Sequence, residues 1–253
     1  MKKLNIFLFG SLSYTIFFGV FLYWIGFTIN FIVPKGIDDG EQITTLSAII
    51  INTLLVLLFG LHHSISARQG FKDLVYKFIP KAAERSFYVL ISSVIVGFMF
   101  WQWKPILTSI WFVENGIATN LLYGLYAIGW VIMLISTFLI NHFELFGLQQ
   151  IYNNFRNKEM KNASFKTPFL YKLVRHPMMV GIFITFWATP NMTLGHLLFS
   201  ILMSVYILIG VYYEERDLLK VFGNKYRKYQ SRVPVLIPFI KPNKSSNKEL
   251  SLT

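Results

Sequence analysis

The sequence contains no cysteine, and this absence excludes disulfide bonds, cysteine-ligated metal sites and a cysteine nucleophile. Charged residues are also scarce, at 14% of the 253 residues, whereas hydrophobic residues make up 54%. Soluble domains typically contain about 25% charged residues. The apolar residues moreover occur in long uncharged blocks. The composition therefore indicates an all-α fold, a polytopic helix bundle in a lipid bilayer.

Four apolar blocks in the first part of the chain are long enough, or nearly so, to cross a bilayer: 5–33, 43–61, 86–103 and 121–140. A spanning helix needs about 20 apolar residues. The first block follows two lysines, as a signal peptide would, but it is too long for one and no small-residue cleavage site ends it. We therefore expect four spans, the first of them retained.

Basic residues are distributed unevenly between the two sides that these spans define. Of the 24 Lys and Arg, 22 lie at the N-terminus, in the connections 62–85 and 142–175, or after residue 213. Only Lys35 and Lys104 fall on the other side. The positive-inside rule then places both termini in the cytoplasm, and we expect a multi-pass protein of a bacterial inner membrane. Topology and anionic lipid account for the net charge of +12, so no nucleic-acid partner is expected.

A further uncharged run, 178–213, follows the four blocks and is interrupted only by Thr189-Pro190-Asn191. Its first arm is too short to span and its second arm is long enough, which predicts a helical hairpin over 177–213. Pairing of the arms about the break would place Pro177 beside Ser204 and Glu214 roughly 15 Å further along the helix. This spacing predicts a pocket between the two charged ends, long enough for a nucleoside with an amino-acid tail.

The charged ends of the hairpin have complementary chemistry. Pro177 suits the first position of a helix, where the N–H groups of Met179 and Val180 would face an anion. Arg175 can bind a carboxylate through two hydrogen bonds. Gly181, one turn on, lets a ligand or a neighbouring backbone approach closely.

At the other end, Glu214 or Glu215 could accept hydrogen bonds from ribose hydroxyls or from an ammonium group. The alternative is a basic membrane anchor followed by a solvated helix start. We favour a cofactor site on the cytoplasmic side, because both charged ends belong to one broken hairpin.

These residues also form a recognisable pattern. The segment 171–181 reads Tyr-Lys-Leu-Val-Arg-His-Pro-Met-Met-Val-Gly, Glu214-Glu215-Arg216 follows the hairpin, and Phe-Gly-Asn-Lys-Tyr-Arg-Lys-Tyr occupies 222–229. The chain here resembles the isoprenylcysteine carboxyl methyltransferase-like membrane methyltransferases, although Met179 stands where tyrosine is common. The resemblance implies S-adenosylmethionine as cofactor, bound by residues from the pattern: Tyr171, Arg175, His176, Pro177, Met179, Gly181, Glu214, Glu215 and Tyr226.

The upstream half narrows the resemblance. Leu-His-His-Ser at 61–64, Trp-Gln-Trp-Lys-Pro at 101–105 and Asn-His-Phe-Glu-Leu-Phe-Gly-Leu-Gln-Gln at 141–150 are similar to the methanethiol S-methyltransferases of the nurim-like branch. That likeness implies a small volatile thiol as acceptor and dimethyl sulfide as product. Two alternatives remain: methylation of an isoprenylcysteine carboxylate or lipid amine, or a non-enzymatic nurim-like membrane protein. The sequence does not predict an oligomeric state.

Methyl transfer to a thiol requires a base, since the thiolate is the nucleophile. The candidates at cytoplasmic ends of spans are His62, His63, His142 and Glu144. Histidine is the usual base near neutral pH, and His62 and His63 could instead only cap a helix end. Of the pair that ends the fourth span, we favour His142, with Glu144 orienting a base or meeting Arg68 or Arg85.

Several remaining features have simpler expectations. His196 should be structural, and the histidines do not predict a metal site, because only His62 and His63 are clustered. Phe143, Phe146, Phe183 and Trp187 are plausible lining for an apolar acceptor pocket. An amphipathic helix at 215–230, with a possible bend at Gly223, should lie on the membrane surface or cover the cofactor. We expect one membrane domain over 1–240 and a flexible tail over 241–253.

Overall fold

The computed structural model describes residues 2–75, 77–159 and 165–240 of the chain. Its helices are α1 Lys3–Ile29, α2 Thr45–Ser66, α3 Gln69–Val75, α4 Glu84–Gln102, α5 Gly116–Ile140, α6 His142–Leu145, α7 Leu148–Phe155, α8 Pro177–Trp187, α9 Leu194–Phe222 and α10 Asn224–Gln230. Single 3-10 turns occupy Lys81–Ala83 and Phe169–Lys172. The predicted tail at 241–253 lies outside the described residues.

Within these ranges five helices are long and apolar enough to cross a membrane: α1, α2, α4 with the turn before it, α5 and α9. The first four are the predicted spans, and α9 contains the long arm of the predicted hairpin. The chain is therefore a polytopic helix bundle and an integral membrane protein, as its composition indicates. The short arm, α8, has 11 residues and cannot cross a bilayer by itself.

A two-stranded sheet joins the hairpin to the connection between α4 and α5, and the sequence did not predict it. Strand β1, Ser109–Phe112, pairs antiparallel with β2, Asn191–Thr193. The indole N–H of Trp111 also donates to the carbonyl of Thr189, at 3.0 Å. The break between α8 and α9 leaves backbone groups without helical partners, and the sheet satisfies them. Strands of three or four residues are too short to show a periodicity in sequence.

This connection offsets the two arms of the hairpin. The hydroxyl of Ser200 donates to the carbonyl of Phe186 at 2.8 Å, and the indole of Trp187 donates to the hydroxyl of Ser204 at 3.1 Å. Ser204 therefore lies beside Trp187, and the prediction that it lies beside Pro177 is wrong. The extended residues of β2 let α9 begin beyond the end of α8, so each α8 residue faces a later α9 residue than a symmetric hairpin would give.

Helices α5 and α8 pack unusually closely through two glycines. A Cβ atom added at Gly181 would lie 2.5 Å from the carbonyl oxygen of Gly129 and 2.7 Å from the backbone nitrogen of Met133. Small residues permit such contact between membrane helices. Of the two expectations for Gly181, the neighbouring backbone is the one that the structure shows, and it accounts for the glycine without a ligand.

The main core is aromatic and lies between α1, α2, α4, α8 and α9. Phe27 stacks on Phe100 with ring centroids 4.4 Å apart, and Phe199 meets Phe186 edge-to-face at 5.3 Å. These contacts fix the rotation of each helix about its axis. That rotation determines which polar side chains meet at the helix ends.

The last helices differ from the predicted tail helix. Residues 215–222 continue α9, and Gly223, with φ of 54°, separates them from α10. The bend expected at Gly223 is confirmed. It turns α10 back, so that the ring of Tyr226 is buried.

Candidate active site

His176 lies between two carboxylates at the start of α8. Its Nε2 is 2.7 Å from an oxygen of Glu215, and its Nδ1 is 3.4 Å from an oxygen of Glu214. Both ring nitrogens must carry protons to donate to both partners, so the ring is an imidazolium. Burial alone lowers the pKa of His176, but the hydrogen bonds and charges of the two glutamates outweigh it and raise the pKa to about 9. His176 is thus a fixed cation and is unsuited to be the base.

Glu215 is the centre of this cluster. Besides His176, its carboxylate accepts hydrogen bonds from the hydroxyl of Tyr226 at 2.6 Å and from the side-chain amide of Gln230 at 2.6 Å. It also forms an ion pair with a guanidinium nitrogen of Arg175 at 3.2 Å. A buried carboxylate needs such partners to offset its lost hydration. Burial, and then the charge of Glu215, raise the pKa of Tyr226, so its hydroxyl keeps its proton.

These contacts correct the predicted layout of the hairpin ends. Arg175 and Glu215 were expected on opposite sides of a long pocket, whereas they form a direct ion pair. Glu215 has no oxygen left for a ribose or an ammonium group. Its role is to hold Arg175, His176 and α10 together, and the prediction of a pocket spanning the two charged ends is wrong.

The segment after α10 packs back against the residues that precede α8. The backbone N–H of Arg175 donates to the carbonyl of Pro234 at 2.9 Å, and that of His176 donates to the carbonyl of Val235 at 3.2 Å. The hydroxyl of Tyr229 donates to the carbonyl of Tyr171. The return of the chain therefore satisfies backbone donors that precede α8.

Two groups at this cluster keep unused hydrogen-bonding capacity. The Nε of Arg175 is buried and has no partner among the described residues. Glu214 has a side chain that is 49% exposed, and among the described residues its ion-pair partner is Nδ1 of His176. The backbone N–H of Val180 was expected to be free, but it donates to the carbonyl of His176 at 3.1 Å. The Nε–H of Arg175 and the carboxylate of Glu214 are thus available to a zwitterionic ligand.

His142 occupies a second polar site, where α5 gives way to α6. Its Nδ1 is 2.8 Å from the hydroxyl of Thr137, which donates its own proton to the carbonyl of Leu134 at 2.7 Å. Thr137 must therefore accept from Nδ1–H. Nε2 of the neutral ring is then the acceptor, and the hydroxyl of Tyr14 in α1 lies 2.8 Å from it. Burial lowers the pKa of His142, so the ring is neutral at neutral pH.

Aromatic rings surround His142. Phe138 stacks on its ring with centroids 4.3 Å apart, and Phe146 and Phe143 lie at 4.8 and 5.6 Å. Phe143 and Phe146 were predicted to line an apolar acceptor pocket, and the structure brings both to His142. The other two predicted residues lie elsewhere: Phe183 packs on the main core, and Trp187 contacts Ser204.

Tyr171 joins the two polar sites. Its hydroxyl donates to the carbonyl of Ser136 at 3.4 Å, one residue before the Thr137 that orients His142. Its own carbonyl accepts from Tyr229, which belongs to the Arg175 side. Burial, and then the negative charge of Glu214, raise the pKa of Tyr171. The Arg175 cluster and the His142 cluster are therefore neighbours at one end of the bundle.

His62 and His63 lie elsewhere. The ring of His63 meets Tyr88 at 5.1 Å and Tyr206 at 6.1 Å. Tyr206 is nine residues before Glu215, which on a helix with about 3.6 residues per turn places it on the opposite face of α9. Nε2 of His62 and Nδ1 of His63 have no partner in the part of the chain described. The structure does not bring this pair to the Arg175 cluster.

Glu144 lies within α6, whose N-cap is Asn141, and does not meet either expected arginine. Its carboxylate accepts from the side-chain amide of Asn141 at 2.9 Å. Arg68 pairs with Asp217 at 3.3 Å, and Nε of Arg85 donates to the carbonyl of Leu145 at 2.7 Å. The predicted contact of Glu144 with Arg68 or Arg85 is therefore wrong.

Sequence reasoning missed Tyr14, Thr137 and Gln230. Tyr14 and Thr137 are polar residues inside predicted spans, which was an available signal, but the partner of Tyr14 lies 128 positions away along the chain. His196 is fully buried in α9 with neither ring nitrogen paired in the described residues. Residues 2–75, 77–159 and 165–240 contain no group of three or more His, Asp or Glu that could hold a metal ion.

Comparison with known proteins assigns relatives to this chain. The family model described as NnrU protein matches residues 49–237. Methanethiol S-methyltransferase 2 of Bradyrhizobium diazoefficiens is 49% identical over 93% of this chain and 91% of its own length. Methanethiol S-methyltransferase of Crocosphaera subtropica is 46% identical over 95% and 94%. A nurim homolog of Drosophila pseudoobscura pseudoobscura is 27% identical over 78% of both chains. No solved structure matches.

Proposed function

The chain belongs to the NnrU protein family, and from this premise we propose that it transfers a methyl group from S-adenosylmethionine to methanethiol and releases dimethyl sulfide. One observation carries the proposal. Relatives named methanethiol S-methyltransferase are 46–49% identical to this chain over more than nine-tenths of both lengths. An apolar surrounding for the acceptor and a polar cluster for the cofactor, at the same end of the bundle, support it.

The donor set fits S-adenosylmethionine. The carboxylate of S-adenosylmethionine can accept a hydrogen bond from the unpaired Nε of buried Arg175, and hydrogen bonds between guanidinium and carboxylate are charge-assisted. Its ammonium or ribose hydroxyls suit the half-exposed carboxylate of Glu214. Glu215, His176 and Tyr226 hold these two residues in place and do not contact the cofactor. When bound, S-adenosylmethionine supplies a methyl group already activated on a sulfonium.

The remaining chemistry belongs to the protein. The acceptor thiol must be held among apolar groups, deprotonated and kept from water. Phe138, Phe143 and Phe146 provide the apolar surrounding, and neutral His142 provides a proton acceptor with a defined tautomer. No metal is needed, because the methyl donor is activated before it binds.

The site faces the cytoplasm in this proposal. Both polar clusters lie at the ends of helices that the basic connections 62–85 and 142–175 join. The positive-inside rule assigns such connections, with both termini, to the cytoplasm. S-adenosylmethionine is a charged molecule made in the cytoplasm, so the orientation gives it direct access.

The test uses purified protein in lipid nanodiscs with isotope-labelled S-adenosylmethionine and methanethiol, followed by headspace analysis for labelled dimethyl sulfide. A prenylated cysteine peptide and a phospholipid amine serve as competing acceptors. Volatile labelled product from methanethiol supports the proposal. Methylation of either bulky acceptor without dimethyl sulfide would reject it.

A further inference from the structure

We propose that Tyr14 is the residue that contacts the acceptor thiol and relays its proton to His142. This inference rests on the proposed function, because it concerns the acceptor of that same reaction. It identifies a catalytic residue on α1, outside the pattern of residues 171–229, and leaves His142 as the proton acceptor behind it.

The hydrogen-bond directions lead to this assignment. The hydroxyl of Thr137 donates to the carbonyl of Leu134 and so accepts from Nδ1–H of His142. Nε2 must then accept, and the group at 2.8 Å from it is the hydroxyl of Tyr14. The proton of Tyr14 is thus directed at His142. The oxygen of Tyr14 keeps a lone pair that no described residue uses, and an S–H group can donate to it.

The surroundings of that oxygen suit a small apolar thiol. Tyr14 lies among aromatic rings, with Phe17 at 5.9 Å and Phe146 at 6.3 Å between centroids. His142 itself is only 6% exposed and is stacked on Phe138. The neighbouring rings therefore block direct contact between His142 and the thiol. Tyr14 is partly exposed and can contact the thiol in its place.

The proposed step balances. The S–H bond of methanethiol breaks, and its proton passes to the oxygen of Tyr14 while the proton of Tyr14 passes to Nε2 of His142. The sulfur lone pair forms a bond to the donated methyl carbon, and the bond from that carbon to the donor sulfur breaks with its electron pair. Tyr14 ends with the proton count with which it began. His142 ends as an imidazolium, which loses its proton at the cytoplasmic end of the bundle.

Acceptors that differ in acidity but not in shape distinguish this role from a packing role. Methaneselenol has nearly the shape of methanethiol but is ionised at neutral pH, so it needs no proton acceptor. Single-turnover rates with saturating S-adenosylmethionine should be measured in nanodiscs for the wild type, Tyr14→Phe and His142→Gln. Tyr126→Phe is the matched control, since it removes a buried tyrosine hydroxyl that contacts Thr28, outside this cluster.

Tyr14→Phe and His142→Gln should each lower the rate with methanethiol on the order of 100-fold, as expected for loss of general-base assistance. With methaneselenol each should lower the rate less than about fivefold, because that acceptor needs no base. Affinity for S-adenosylhomocysteine should be unchanged, which reports that the fold is intact. Equal losses with both acceptors, or no loss in Tyr14→Phe with methanethiol, would overturn the relay. A wild type that binds the cofactor but makes no dimethyl sulfide rejects the proposed function itself, and the relay with it.

Discussion

Nε2 of His176 lies 2.7 Å from a carboxylate oxygen of Glu215, and these two residues are 39 positions apart in the chain. The pair joins the start of α8 to the C-terminal part of α9. Because Glu215 also binds Arg175, Tyr226 and Gln230, one carboxylate determines where the hairpin, α10 and Arg175 meet.

The stabilisation that this cluster gives to the folded protein should decrease at alkaline pH. The pKa of His176 is raised from 6.5 to about 9, so its contribution to folding is fully present below pH 6.5 and is lost as the pH rises through 9. Thermal unfolding of wild type and His176→Gln should be compared in nanodiscs from pH 6 to pH 10. The difference between them should shrink across this range, and a difference that grows with pH would contradict the assignment.

The adjacent glutamates should respond differently to the same substitution. Glu215→Gln leaves Arg175 and His176 without their buried partner and should destabilise the protein by about 3–5 kcal/mol. Glu214→Gln should change stability little, because that side chain is half exposed. It should instead weaken binding of S-adenosylmethionine by about 1–3 kcal/mol.

Calorimetric binding together with thermal unfolding separates these two outcomes. The paired substitutions are matched controls for each other, since they are identical in chemistry and adjacent in sequence. Equal effects of both on stability would show that Glu215 is not the centre of the cluster.

Arg175→Lys tests whether the unpaired Nε binds the cofactor. Lysine retains the positive charge opposite Glu215 but lacks the planar fork of donors. Cofactor affinity should fall about 10-fold or more, in line with about 1.5–3 kcal/mol for a hydrogen bond to a charged group, while the unfolding temperature changes less than in Arg175→Ala. Unchanged affinity in both variants would place the cofactor elsewhere.

Gly181→Ala should disrupt the contact between α5 and α8. The added Cβ would lie 2.5 Å from the carbonyl oxygen of Gly129, and such overpacking costs about 1–3 kcal/mol. Gly124→Ala, on α5, is the control, because no heavy atom of the described residues beyond its own stretch of helix lies within 4 Å of its added Cβ.

The control should be neutral or slightly stabilising, since alanine favours a helix over glycine by about 1 kcal/mol. Thermal unfolding measures both variants. If Gly181→Ala is as stable as the control, the close packing at Gly129 is not needed, and a ligand-binding reason for this glycine becomes the better explanation.

Much of the fold could be predicted because the bilayer restricts it. Segments near 20 apolar residues must be helical, so the four early spans and the long arm of the hairpin followed from the sequence. The break at 189–191, the charged pairs at the two ends and the bend at Gly223 were also predictable. The strand pair and the offset of the hairpin were not, because they depend on how an irregular connection satisfies its backbone groups.

The candidate site divides in the same way. By itself the sequence determined which residue types stand at these helix ends: Arg175 and His176, the pair Glu214 and Glu215, and His142. Only the tertiary structure decided that both carboxylate oxygens of Glu215 are bound by neighbouring side chains and that Gly181 serves helix packing. It also decided that Tyr14 contacts His142, which lies 128 positions away along the chain. The physical reason is that such contacts depend on the rotation and offset of whole helices. The aromatic core fixes the rotation of the helices and the β1–β2 pair fixes their offset, and neither can be predicted from a local pattern in the sequence.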